Sequence, residues 1–178
     1  CYDSEMDVFE KKGNRKNQIL YLSNIMKSKG ILEFLNASYS ILQKYPFITI
    51  IIAGNLLGDK FMKLKEISNH FYNHLEKLKN EFPNRIRYIG VVKGKEKYKI
   101  LFESSIFILP TYYPTEAYPI SIIEAMRAGN AIITTNHNYL PYIITPNNGV
   151  IIKPHSTNSI ISGVNSLLSD KQNLNRVQ

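Results

Sequence analysis

Two carboxylates, Glu116 and Glu124, stand eight positions apart on either side of Pro119, within the stretch Pro110 to Thr135. The apolar run Ile106 to Leu109 reads as a buried strand, and Thr111 to Tyr118 as the loop leaving its carboxyl end. A helix then opens at Pro119, whose fixed φ and missing N–H suit a first helical position. Backbone N–H groups around Tyr118, Ile120 and Ser121 are left without intrahelical partners there, and with the helix dipole they suit a phosphate or a sugar oxygen. Glu116 on the loop and Glu124 one and a half turns into the helix would each accept hydrogen bonds from a different part of one extended, hydroxyl-rich ligand.

Positioning such groups requires a scaffold, and the chain supplies one. Short apolar runs alternate with helical patterns, the signature of an α/β fold with an open, Rossmann-like parallel sheet covered on both faces. Six strands are predicted: Gln18 to Leu22, Phe47 to Ala53, Ile86 to Ile89, Ile106 to Leu109, Ala131 to Thr134 and Gly149 to Ile152. A first helix follows from Ile31, Phe34, Leu35, Ser38, Leu42 and Tyr45. A second follows from Phe61, Leu64, Ile67, Phe71, Leu75, Leu78 and Phe82, with Asp59 as its cap and Pro83 as its stop. Lys95 to Glu103, Pro119 to Ala128 and Thr157 to Leu168 give three more, the last capped by Ser156. Ligands of open sheets sit outside the carboxyl ends of the strands, which selects the loops 23–30, 54–59, 90–94, 110–119 and 135–139.

A chain of 178 residues with 44% hydrophobic content suits one domain with a real core. We expect it to span residues 18–170, between a polar linker or tail over 1–17 and a short tail over 171–178. The acidic set Asp3, Glu5 and Asp7 reads as part of the solvated tail. The chain starts without methionine and reads as a piece cut from a longer protein. Its one cysteine, Cys1, leaves no internal disulfide, and no secretory leader pattern is seen. Phe47 to Ala53, the longest uncharged apolar run, is too short to span a bilayer, so a cytoplasmic location is expected. The net charge of +8 gathers in Lys60 to Lys65, Lys77 to Lys79 and Lys93 to Lys99. Such runs usually form solvated helix faces, and the alternative is an anionic partner: a nucleotide diphosphate, an acidic membrane surface or a nucleic acid.

Four motifs in order carry a resemblance. Lys29-Gly30 opens a helix after the first strand; an apolar strand ends at Gly54; another ends at Gly90; and Glu116 and Glu124 frame a Glu-x7-Glu signature. The region from Ile19 to Asp170 thereby resembles the carboxyl-terminal, donor-binding domain of family four nucleotide-sugar glycosyltransferases of the two-domain B fold. The resemblance implies a retaining transferase whose acceptor half lies outside this chain, so that the fragment alone binds donor without transferring sugar. It implies that Lys29 contacts the donor diphosphate and stabilises its developing charge, that Glu116 lies near the transferred sugar, and that Glu124 accepts from the ribose. Backbone at Ala117, Tyr118 and Ile120 would hold sugar and phosphate oxygens, main chain near Val92 would meet the base, and Gly54 would let the nucleotide approach the backbone. The partner it implies is a nucleotide-sugar such as a UDP- or GDP-sugar, with a peripheral membrane surface as a further expected contact and no nucleic acid. No metal or separate cofactor is required. Many members have Gly-Arg where Ser23-Asn24 stands, so a cation is lost; Lys27 is one candidate to replace it. Ala117 replaces a usual glycine, a mild change unless the position needs positive φ.

Sugar transfer from such a donor needs a stabilised leaving group, and Lys29 with the helix start at Pro119 would be the electrostatic devices for it. Other readings stand beside this one. Glu124 can pair with Arg127 on a helix surface, and Tyr112 and Tyr113 can pack instead of lining a crevice. His70 and His74 lie four apart on a helix without an evident third metal ligand, and Gly94-Lys95-Glu96 is not a Walker loop. At the level of the whole chain, the rivals are a nucleotide-sugar epimerase of the same fold and a basic, non-catalytic nucleic-acid or membrane-surface module.

Overall fold

The computed structural model describes residues 15–169 and Leu174. The acidic set Asp3, Glu5 and Asp7, Cys1 and the expected tail at 171–178, apart from Leu174, lie outside the described residues.

Six parallel strands form one sheet: β1 (Gln18–Leu22), β2 (Thr49–Ala53), β3 (Ile86–Tyr88), β4 (Ile106–Leu109), β5 (Ala131–Thr135) and β6 (Gly149–Ile152), in the order β3-β2-β1-β4-β5-β6. The helices are α1 (Ile31–Lys44), α2 (Leu64–Glu81), α3 (Gly94–Glu103), α4 (Ile120–Arg127), a four-residue α5 (Leu140–Ile143) and α6 (Thr157–Leu168). Every residue of β1, β4 and β5 is buried, which is why these strands are mostly apolar rather than alternating, with Gln18, Thr134 and Thr135 as buried polar residues at their ends. Helix α1 packs against both α2 and α6, and α3 packs against α4. The right-handed rule for crossovers explains the split: connections running from β1 toward β3 and those running from β4 toward β6 go in opposite directions, so their helices fall on opposite faces.

The order therefore reverses between β1 and β4, the switch point at which open sheets form their ligand crevice, and the loops carrying Lys29 and Glu116 leave the sheet there.

Several element ends differ from the expected ones. Strand β2 begins at Thr49 because Phe47 turns out of the sheet, half exposed and edge-on to Tyr45. Helix α2 begins at Leu64, not near Asp59. The Asp59 carboxylate instead accepts from the N–H groups of Phe61 and Met62, closing a separate turn, while Glu66 caps the Lys63 N–H at 3.0 Å. Phe61 and Leu64 are consequently exposed rather than part of the apolar stripe. Pro119 is the residue before the first turn of α4, with an extended ψ of 117°. The Ser156 hydroxyl does accept from the Ser159 N–H at 3.1 Å. Residues 15–17 are bonded into the body: Arg15 donates to the carbonyls of Ser104 and Ala128, and Thr49 donates to that of Asn17.

Candidate functional site

The loop after β1 is held from beneath. The Tyr21 hydroxyl, fully buried, lies 3.2 Å from the Asn24 carbonyl and 3.3 Å from that of Lys29. Lys27–Lys29 makes a single 3-10 turn, ended by Gly30 at φ 73°. A Cβ at Gly30 would meet the Pro110 carbonyl oxygen at 2.1 Å, so glycine is required both for the turn and for contact with the neighbouring loop. That contact is extended by the Tyr112 N–H, which donates to the Ser28 carbonyl at 2.8 Å. The Asp59 carboxylate ties in the loop after β2 by accepting from the Ser28 N–H at 2.7 Å. Partial burial would raise this acid, but hydrogen bonds from Ser28, Phe61 and Met62 outweigh it and hold the carboxyl below its ordinary range.

Lys29 and Glu116 meet directly. Lys29 Nζ lies 2.5 Å from Glu116 Oε2, and the side chains are only 12% and 8% exposed. The Thr111 hydroxyl donates to the same oxygen at 2.9 Å, and Lys29 Nζ also sits 4.7 Å from the centre of the Tyr113 ring. The loop bearing Glu116 is fixed from the other side by two residues that sequence reasoning did not single out. His137 Nε2 lies 2.8 Å from the Tyr113 carbonyl, and the Asn138 amide donates to the carbonyls of Pro114 and Glu116. Asn138 adopts φ 47°, a conformation asparagine tolerates better than most residues. The only signal available was the position of both residues in the loop after β5.

Glu124 belongs to a second arrangement. It lines a cavity of about 260 Å³ together with Asn24, Gly54, Val92, Ile120 and Ser121. Its Oε1 lies 2.5 Å from Lys97 Nζ on α3, and Lys97 lines the cavity too. This lysine was missed because it sits in a run whose other lysines, Lys93, Lys95 and Lys99, are exposed. The salt bridge of Glu124 thus crosses between helices to Lys97, where Arg127 on its own helix was the expected alternative. Helical bonding in α4 starts with the N–H groups of Ile122 and Ile123, both donating to Pro119, so those of Ile120 and Ser121 stand outside the ladder at the cavity wall.

Gly54 also meets the chain's own backbone. A Cβ there would lie 1.8 Å from the Ser23 carbonyl oxygen, so the glycine admits the chain's own first loop. Ala117 is not among the residues with positive φ, so replacing a glycine there adds no backbone strain. Tyr118 is exposed and stacks on Tyr139 with ring centres 5.9 Å apart. Tyr113, Ser28 and Asp59 border a further cavity of about 410 Å³ on the α2 side of the crevice. Tyr112 is buried, against His155 and edge-on to Phe61, so it packs. Burial, reinforced by Glu33 and Asp59, pushes its hydroxyl far above the usual tyrosine range. Among the described residues no group of three or more His, Cys, Asp or Glu is placed to hold a metal ion, and His74 Nδ1 lies 2.8 Å from the His70 carbonyl. No helix of the described residues is long and apolar enough to cross a membrane.

Comparison with known proteins places this geometry in context. The family described as "Glycosyl transferases group 1" matches residues 3–178. The chain is 27% identical over 146 residues to a subunit of human phosphatidylinositol N-acetylglucosaminyltransferase, covering 82% of this chain and 27% of that protein. It is 26% identical over 156 residues to an uncharacterized glycosyltransferase of Methanocaldococcus jannaschii, covering 87% and 36%. The chain thus spans about a third of the length of these curated relatives. Among solved structures, the C-terminal domain of a group 1 glycosyl transferase from Francisella tularensis superimposes with a TM-score of 0.77 at 23% identity, covering 99% of this chain and 88% of that one. Anabaena HepE, crystallised with UDP and glucose, gives 0.75 at 15% identity, covering 99% and 46%. The shared fold is the Rossmann-like domain of the two-domain glycosyltransferase B architecture.

Proposed function

Because the chain belongs to the group 1 glycosyl transferases, we propose that it forms the donor-binding half of a retaining enzyme that moves a sugar from a nucleotide diphosphate sugar to a glycan or glycolipid. The observation that carries this reading is the pairing of Lys29 with Glu116 at the strand-order reversal, beside a cavity that presents Glu124 and the start of α4. Relatives of this fold have been crystallised with UDP and UDP-glucose, which supports a nucleotide-sugar as the ligand.

Each residue then has a task. Glu124 accepts from the ribose hydroxyls, and main chain near the buried Val92 meets the base. The N–H groups at Ile120 and Ser121 receive phosphate or sugar oxygens. Glu116 holds the sugar hydroxyls through the oxygen that Lys29 and Thr111 leave uncommitted. As the bond to the diphosphate breaks through an oxocarbenium-like state, negative charge grows on the leaving oxygen. Lys29 is preorganised to stabilise it, turning a second N–H toward the phosphate while it stays paired with Glu116. The departing phosphate assists the acceptor hydroxyl on the same face, giving retention. Acceptor binding is assigned to a part of the enzyme outside these 178 residues, so this chain alone binds donor without turnover. The same reading places the work in the cytoplasm, with the net charge of +8 favouring contact with an anionic membrane surface.

A thermal-shift panel of UDP-, GDP- and ADP-sugars tests it. One or a few members should raise the melting temperature with saturable dependence on concentration. A flat response across the panel would contradict the reading.

A further inference from the structure

Lys97 is the one lysine of the Lys93 to Lys99 run that turns into the protein. Its ammonium reaches from α3 to Glu124 on α4, and the two side chains are 23% and 19% exposed. They are neither free in solvent nor sealed in the core. They form the charged part of a cavity wall that otherwise offers the amides Asn24 and Asn55, the Ser121 hydroxyl and apolar groups such as Val92.

The electrostatics of that wall are specific. A lone carboxylate in a small, partly desolvated cavity would repel a phosphate brought near it, and Asn24 on the first loop supplies no cation to offset this. An ammonium has three N–H donors, and Lys97 directs one of them to Glu124 Oε1. Its Nζ also lies 4.9 Å from the centre of the Tyr98 ring, which leaves a donor for a second anionic oxygen, while Glu124 keeps Oε2 as a hydroxyl acceptor. We propose that Lys97 reads ligand charge in this cavity: it neutralises Glu124 and donates to an anionic oxygen, so the cavity prefers a nucleoside diphosphate over the corresponding neutral nucleoside. The proposal rests on the nucleotide reading above and assigns a residue that reading does not require.

Removing the ammonium acts in opposite ways on the two ligand types. Glu124 is released to accept ribose hydroxyls, which helps or leaves unchanged a neutral nucleoside. A diphosphate loses a charge-assisted hydrogen bond and meets an uncompensated carboxylate. A merely structural role would weaken both ligands together.

The test is calorimetry of UDP against uridine, and GDP against guanosine, with the wild-type chain, Lys97→Met and Lys97→Arg. Lys97→Met is expected to lower diphosphate affinity about tenfold while leaving nucleoside affinity within about twofold, and Lys97→Arg to restore most of the loss. Lys97→Gln carries the same expectation should the methionine variant fold poorly. Equal weakening of both ligands, or tighter diphosphate binding, would overturn the proposal and leave the nucleotide reading standing. Absence of any binding by the wild-type chain would overturn both.

Discussion

The two lysine–glutamate pairs have the same separation, 2.5 Å, and different surroundings. Lys29–Glu116 is nearly closed from solvent, shares an oxygen with Thr111 and stitches the loops after β1 and β4 together. Lys97–Glu124 joins two helices at the wall of an open cavity and is roughly twice as exposed. The contrast separates two uses of one interaction. A buried pair fixes loop geometry because breaking it strands a charge; a partly exposed pair costs less to disturb and so can be shared with a ligand.

The largest expected effect follows from that asymmetry. Lys29→Ala leaves Glu116 buried and unpaired and should cost about 3 kcal/mol of stability, read as a drop in the urea midpoint. Lys97→Ala should cost less than about 1 kcal/mol. Equal costs for the two would erase the distinction drawn here.

A smaller effect lies in the loop scaffold. Asp59→Ala removes three backbone hydrogen bonds and should destabilise by about 1 kcal/mol. Because the folded carboxyl is held below its ordinary value, the stability it contributes is present above the unfolded pKa and is lost as pH falls through the folded one. The gap between wild type and Asp59→Ala should therefore close in acid; a gap that widened would reverse the assigned direction. The smallest effect is a gain. Asn24→Arg adds a cation to the cavity rim and should tighten a nucleotide diphosphate about threefold, while unchanged binding would show that Lys97 already meets that need.

Much of this architecture was legible from residue order. Short, mostly apolar runs located β1, β4 and β5, and the alternation with helices implied a covered parallel sheet. The misplacements have local causes. Asp59 looked like a helix cap because capping and turn-closing use the same side-chain geometry, and only the backbone distinguishes them. The four residues of α5 are too few to show a helical period. Lys97 was hidden by its neighbours, since the direction of one side chain in a lysine run depends on what α4 presents opposite it. His137 and Asn138 act on the Glu116 loop through backbone carbonyls, an interaction that leaves no mark in residue type.

The central claim is that this crevice binds a nucleotide diphosphate sugar through Glu124. Calorimetry of the best ligand from the thermal panel, with the wild-type chain and Glu124→Ala, tests it directly. The account predicts one saturable site in the wild type and at least a tenfold loss on removing the carboxylate; unchanged affinity in Glu124→Ala would contradict it.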